Sequence, residues 1–313
     1  MVWRMHITKI DEHINLVDLE IAGIKDFIAS YVLMGKNSHV RAIVETGPAS
    51  TVQNLLSALT ELNVKPEEVA YVAVSHIHLD HSGGAGILLK HLPKAKLIVH
   101  SRGAPHVVNP EKLWAQSREA LGKIAEKYGK PEPVPKERII VATEGTVFTI
   151  GDEVELKVME TLGHASHHVA YYETLSHGVF TGDAAGIYLN KHDAVVPTTP
   201  WFFRLDIALA SLEKLIKLNP QVLYYSHFGK AYNAIDKLQS YSEQLELWAD
   251  TAKRGIEKGE KLETISRRIL ESDKALQKVS SYIRNHMILS QTVLHQSVEG
   301  VIKFVEKFGT SLE

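Results

Sequence analysis

Residues 76 to 81 read His-Ile-His-Leu-Asp-His, which puts four imidazole or carboxylate donors into six positions. Such donors bind divalent cations, and hydrolysis assisted by such cations is the chemistry they favour. Side chains alternate in extended backbone, so His76 and His78 point the same way and can share one ion, while Asp80 and His81 come from the turning chain just beyond. Three more donors recur downstream: His164, Asp183 and His227. The count suits two metals. His76, His78 and His164 would hold one ion, Asp80, His81 and His227 the second, and Asp183 would bridge them.

Each donor follows a run that reads as a strand. Val69–Ser75 precedes His76, Val154–Gly163 precedes His164, Val179–Gly182 precedes Asp183, and Val222–Ser226 precedes His227. The donors therefore gather near the C-terminal ends of strands, where α/β proteins assemble their sites. Gly83-Gly84-Ala85-Gly86 leads from the hexapeptide into a helix-compatible Ile87-Leu88-Leu89.

Upstream, Ile14–Leu19, Ala29–Met34 and Val40–Val44 read as strands, and Thr51–Leu62 as a helix with Val52, Leu55, Leu56 and Leu59 on one face. The stretch from His100 to Arg138 reads as irregular, with Trp114 in a helical segment and Pro131-Glu-Pro-Val-Pro135 near its end. Lid, subunit contact and packing excursion all stay open for it, the first two slightly favoured. Ala194–Phe203 follows Asp183 closely enough to reach a metal groove. There Trp201 and Phe202 either line a substrate pocket or anchor the loop to the core.

Beyond residue 234 strand signals vanish. Helices are expected over Ala234–Lys258, Leu262–Glu271, Lys274–Ser290 and Val293–Lys307, with Leu276, Val279, Ile283 and Met287 at helical spacing. The division expected is a catalytic domain over 1–234 and a helical subdomain over 235–313.

A single histidine is more often a surface or hydrogen-bonded residue than a ligand. Of the 17 histidines, spacing lifts His76, His78, His81, His164 and His227 out of that class. His167 and His168, in Gly-His-Ala-Ser-His-His, lie between, as neighbours of the groove; the other ten, His13 among them, keep the ordinary reading.

The ordered set His-x-His-x-Asp-His at 76–81, Thr161-Leu-Gly-His164, Thr181-Gly-Asp183 and His227 resembles the metallo-β-lactamase superfamily over roughly residues 6 to 232. The resemblance implies an αββα sandwich of two mixed sheets flanked by helices, with a dinuclear site in a groove at one edge. A C-terminal helical extension is similar to that of the glyoxalase II branch, although no glutathione-binding residues match. Glu45 departs from the Asp that members often carry before Thr-Gly, and is expected to sit behind the ligands.

The expected reaction is cleavage of an ester, thioester or lactone of a small molecule by a hydroxide held between two metals. Asp80 would ligate the second metal and either orient the water or shuttle its proton. Tyr188, five residues past Asp183, is a candidate oxyanion donor; lactone hydrolases of the superfamily carry a Tyr where this chain has Gly186. Zinc is the first choice, and iron and manganese suit the same donors. The alternative is a persulfide dioxygenase-like oxidoreductase with one iron on His76, His164 and Asp183. A phosphodiesterase or nuclease is less favoured, as are a structural metal site and an exported β-lactamase.

Composition narrows the field. The chain has 313 residues, 44% of them apolar, and no cysteine, which excludes thiol catalysis, disulfides and thiolate ligands. A net charge of -2 with dispersed basic residues gives no footprint for nucleic acid. No apolar run approaches ~20 residues, so neither signal peptide nor membrane span is expected, and cytoplasm is the default. A homo-oligomer stays open.

Overall fold

The computed structural model describes residues 6 to 309. The chain forms two compact units. One takes the chain through Glu160 together with His167–Gly182 and Gln221–Tyr232; the other comprises Thr161–Ser166, Asp183–Pro220 and the chain from Asn233 onward.

The first unit is a sandwich of two mixed sheets. Seven strands follow chain order across the first sheet: β1 (Ile7–Lys9), β2 (Ile14–Asp18), β3 (Ala29–Met34), β4 (Arg41–Val44), β5 (Val69–Ala73), β6 (Lys96–His100) and β7 (Ile139–Ala142). The first four are antiparallel meanders, and β4 to β7 run parallel. Parallel strands need crossovers, which here carry helices such as Val52–Glu61 and Ala85–His91. The first of these buries Val52, Leu55, Ala58 and Leu59; Leu56, expected on that face, is only partly covered, because Ala58 takes the core position.

The second sheet begins with β8 (Val147–Gly151), β9 (Val154–Glu160), β10 (Val169–Glu173) and β11 (Gly178–Gly182). In the other unit, β12 (Ile187–Leu189) and β13 (Ala194–Val196) then form a separate hairpin. β14 (Val222–Tyr225) and β15 (Gly229–Ala231) return to complete the second sheet, whose order is β15-β14-β11-β10-β9-β8.

Between the sheets lies one apolar core, with Leu16, Tyr31 and Val44 from the first and Val158, Tyr171, Phe180 and Tyr224 from the second. Two buried tyrosines tie the layers reciprocally. The Tyr31 hydroxyl, from β3, donates to the Tyr225 carbonyl of β14 at 2.5 Å; the Tyr171 hydroxyl, from β10, donates to the Val74 carbonyl just past β5 at 2.8 Å. Burial pushes both phenols well above their ordinary pKa, so they stay protonated donors.

The segment after His100 is more regular than its sequence suggests. It holds helices Ala104–Val108, Glu111–Leu121 and Lys123–Tyr128, and the middle one buries none of its residues. An exposed helix lacks the apolar stripe by which helices are recognised.

In the second unit, helices Leu205–Lys217, Ala234–Glu257, Leu262–Ser272, Lys274–Asn285 and Val298–Phe308 accompany the hairpin. Leu276, Val279 and Ile283 are buried as their spacing predicts. Met287 is not: the helix ends at Asn285, and this side chain is left 43% exposed.

Candidate metal centre

In the first unit the hexapeptide leaves β5 in extended conformation and turns at His78 into a short helix, Leu79–Ser82. Asp80 and His81 thus sit on a helical turn. The preceding β4–helix connection grips it: the Thr46 N–H and hydroxyl both donate to the His81 carbonyl at 2.9 Å, and the Gly84 N–H donates to the Gly47 carbonyl at 2.8 Å.

Asp80, His81 and His227 come together, one donor atom from each lying within 4.8 Å of the others. The two oxygens of Asp80 face the two Nε2 atoms, Oδ1 at 4.0 Å from His81 and Oδ2 at 3.6 Å from His227. His76 Nε2 and His78 Nδ1 approach to 2.8 Å. His76, His81 and His227 are buried, and Asp80 is partly covered.

Behind the rings is a second set of contacts. The Ser75 hydroxyl lies 3.0 Å from His76 Nδ1 and 3.4 Å from His81 Nδ1. The Glu45 carboxylate also lies 3.4 Å from His81 Nδ1, and the Phe27 carbonyl 3.2 Å from His227 Nδ1. A carbonyl or carboxylate oxygen can only accept, so in the tautomer in which Nδ1 of His81 or His227 donates to it, Nε2 is left to present its lone pair. Imidazoles that bind metal are oriented in this way.

Glu45 is placed as expected, behind His81. Its carboxylate also accepts from the Ser75 N–H and the Ser226 hydroxyl, and its backbone holds φ +66°. His168 is wholly buried with its ring 4.9 Å from that of His76, and it closes on Gly182, where a β-carbon would fall 2.6 Å from Nε2.

The second unit carries the other two expected donors. His164 Nε2 lies 3.4 Å from Asp183 Oδ2, and both residues are buried. His164 Nδ1 lies 2.9 Å from the Thr198 carbonyl, which again leaves Nε2 for coordination. Gly163, at φ +126°, lets this segment meet the backbone of helix Leu205–Lys217, where a β-carbon would stand 2.5 Å from Ala208.

Tyr188 is turned elsewhere. Its hydroxyl donates to Asp193 at 2.8 Å, and Lys237 lies 2.5 Å from the same carboxylate. Burial and the Asp193 carboxylate push the phenol well up. Trp201 and Phe202 do not anchor their loop: they are 60% and 87% exposed, and the neighbouring Phe203 is the buried residue.

The donors of each unit therefore fit hard or borderline divalent cations: imidazole and carboxylate, without sulfur, mostly buried, with oxygen atoms behind several of the rings. Ser75, Phe27 and Thr198 were missed from sequence. Two of them act through backbone carbonyls, which any residue has; only Ser75, adjacent to His76, offered a signal.

Residues 24–227 match the metallo-beta-lactamase superfamily. The chain belongs to that family. A metallo-beta-lactamase fold-containing protein of Sulfurisphaera tokodaii is 29% identical over 203 residues, covering 64% of this chain and 72% of that one. A hydroxyacylglutathione hydrolase of Cupriavidus taiwanensis is 26% identical over 204 residues, 64% of this chain and 63% of its own length.

Among solved structures, an archaeal superfamily protein of Sulfolobus tokodaii gives a TM-score of 0.64 at 25% identity, over 75% of this chain and 86% of that one. A beta-lactamase domain protein of Burkholderia ambifaria gives 0.69 at 14% identity, over 97% and 88%, a likeness of fold alone. Among the described residues no helix is long and apolar enough to cross a membrane.

Proposed function

We propose that the protein is a metal-dependent hydrolase acting on an ester, thioester or lactone of a small molecule. His76, His78 and His164 would hold one divalent cation, Asp80, His81 and His227 a second, and Asp183 both. The observation that carries this is the tautomer lock: the Nδ1 atoms of His81, His164 and His227 each face an oxygen that can only accept. Membership of the family and the distant likeness to a hydroxyacylglutathione hydrolase support the class of reaction.

Bound in such a set, two divalent cations supply hydroxide near neutral pH and polarise a carbonyl. The chain's own part is to hold and orient. Asp80 would help hold the second cation and would accept the proton released as water is activated. Ser75, Glu45 and the Phe27 and Thr198 carbonyls fix the rings, so that no reorientation is needed when charge develops. Tyr188 must leave Asp193 before it can donate to an oxyanion. A Tyr188→Phe variant tests that role: a tenfold fall in kcat with KM unchanged supports it, and wild-type turnover removes it.

Elemental analysis of purified protein, run beside turnover of aryl esters, thioesters, lactones and phosphodiesters, tests the whole reading. About two zinc ions per chain with carbonyl-ester or thioester turnover is expected. About one iron per chain without hydrolysis would replace it with the dioxygenase alternative. The grouping of Asp80 with His81 and His227 favours two metals, because those last two have no part in a single-iron site. In His76→Ala and Asp183→Ala, metal and hydrolysis should be lost together while the far-ultraviolet circular dichroism is kept.

A further inference from the structure

The loop from Thr198 to Arg204 is clipped to the His164 segment at both ends. The Thr198 carbonyl holds His164 Nδ1 at 2.9 Å, and the Arg204 N–H donates to the Gly163 carbonyl at 3.0 Å. Its base is fixed as well: the Thr199 hydroxyl donates to the Ser297 carbonyl at 2.6 Å, and the Thr199 N–H to the Ser297 hydroxyl at 3.2 Å. Helix Val298–Phe308 approaches so closely that a β-carbon on Gly300 would fall 1.8 Å from the Thr199 carbonyl. Phe203 is buried, its ring 6.3 Å from that of Phe304.

Between these anchors Pro200–Phe203 closes a tight turn, the Phe203 N–H donating to the Pro200 carbonyl at 2.8 Å. Trp201 and Phe202 are its two central residues. They stand in solvent although they are among the largest apolar side chains of the chain. Trp201 is also oriented: its indole N–H reaches Glu299 at 3.4 Å, and the Lys303 ammonium lies 3.3 Å over the ring.

A phenylalanine at 87% exposure contributes almost nothing to folding, and its apolar surface is free to be covered by a ligand. Fully extended, two residues span at most about 7 Å. Phe202 therefore lies within that reach of Arg204, whose N–H touches the residue preceding His164. A rigid base and an exposed apolar tip at this position suit contact with the part of a substrate that does not react.

The geometry points to Trp201 and Phe202 as the specificity-determining rest for an apolar acyl group. On this assignment, which rests on the hydrolase reading above, the substrates are esters or thioesters of carboxylic acids with an extended alkyl or aryl chain. Water adds to the acyl carbonyl, the acyl–oxygen or acyl–sulfur bond breaks, and the proton passes to the departing alcohol or thiol, leaving the free acid. No oxidant or reductant is required.

The test is a series of p-nitrophenyl esters from acetate to decanoate with the metal-loaded enzyme, its Phe202→Ala variant and the Trp201→Ala/Phe202→Ala double variant. In the wild type kcat/KM should rise up to about fourfold per methylene added. The double variant should lose at least tenfold on decanoate, stay within twofold on acetate and keep its melting temperature, because neither side chain is in the core. A second arm reads binding without turnover: equilibrium dialysis of decanoate, whose dissociation constant should rise at least tenfold in the double variant.

An unchanged decanoate-to-acetate ratio, or unchanged decanoate binding, overturns the assignment. If no ester is cleaved by any of the three proteins, the hydrolase reading falls for esters, and the dialysis arm alone decides whether the loop is an apolar binding element.

Discussion

Glu45 keeps a side chain at φ +66°, a conformation that costs most residues about 1–2 kcal/mol. The expense is offset by what its carboxylate does: it holds the Ser75 N–H, the Ser226 hydroxyl and the outer nitrogen of His81 at once. Glu45→Gln preserves the shape and removes the charge behind His81. Zinc affinity, read by competition with a chromogenic chelator, should fall about 10–100-fold; unchanged affinity would show that the carboxylate only packs. Candidate ligands and the groups behind them differ in how they are written. The hexapeptide, His164, Asp183 and His227 were legible because imidazoles and carboxylates at fixed spacing after strands are rare by chance. Phe27 and Thr198 were not, because they act through carbonyls and are close to their histidines only after folding.

Helices whose apolar face is buried were read to within a few residues, as with Ala234–Glu257, and the long central strands likewise. Strands of three residues such as β1, β12 and β15 are too short to show a period, and helix Glu111–Leu121 shows only a weak one because none of its residues is fully buried. That exposure has a dynamic corollary. With no buried residue to hold it, Glu111–Leu121 should open at low cost, and its amides should exchange with deuterium orders of magnitude faster than those of Ala234–Glu257; equal protection would mean that a partner covers it. Where helices do join, one residue concentrates the contacts. Asp273 caps Lys274–Asn285 by accepting from the Leu276 N–H at 2.9 Å, and it also accepts from the Gln244 amide and the Trp248 indole, both at 2.7 Å. Asp273→Ala removes the cap and strands two buried donors, so urea unfolding should show a loss of about 3 kcal/mol. A loss below about 1 kcal/mol would mean that water satisfies them.

Across the whole molecule, one buried ion pair sets a pH dependence. His13 Nε2 lies 3.2 Å from Glu173 Oε2, both side chains being almost wholly buried. Burial opposes charge on each, but His13, Ser176 and two backbone N–H groups hold Glu173 below its ordinary pKa, while Glu173 and Asp11 hold His13 above its own. The carboxylate's contribution is present above the ordinary glutamate titration and lost as pH falls through the lowered value. That of the imidazolium is full below the ordinary histidine titration and lost as pH rises through the raised value. Thermal stability attributable to the pair should therefore peak at roughly pH 4.5–6.5. Glu173→Gln should cost about 3–5 kcal/mol there and less at pH 8; parallel pH profiles for the two proteins would exclude the pair as the cause. The path of the backbone matters at this scale as well. The chain enters its second compact unit three times, at Thr161, Asp183 and Asn233. Helix Leu205–Lys217, with Leu212 and Leu215 wholly buried, packs on Ala234–Glu257, so a gene ended after codon 234 would leave that apolar face bare and its product should precipitate. Heredity is constrained accordingly: the C-terminal helices are not a cassette that one crossover can exchange between relatives without separating them from the loops that carry His164 and Asp183.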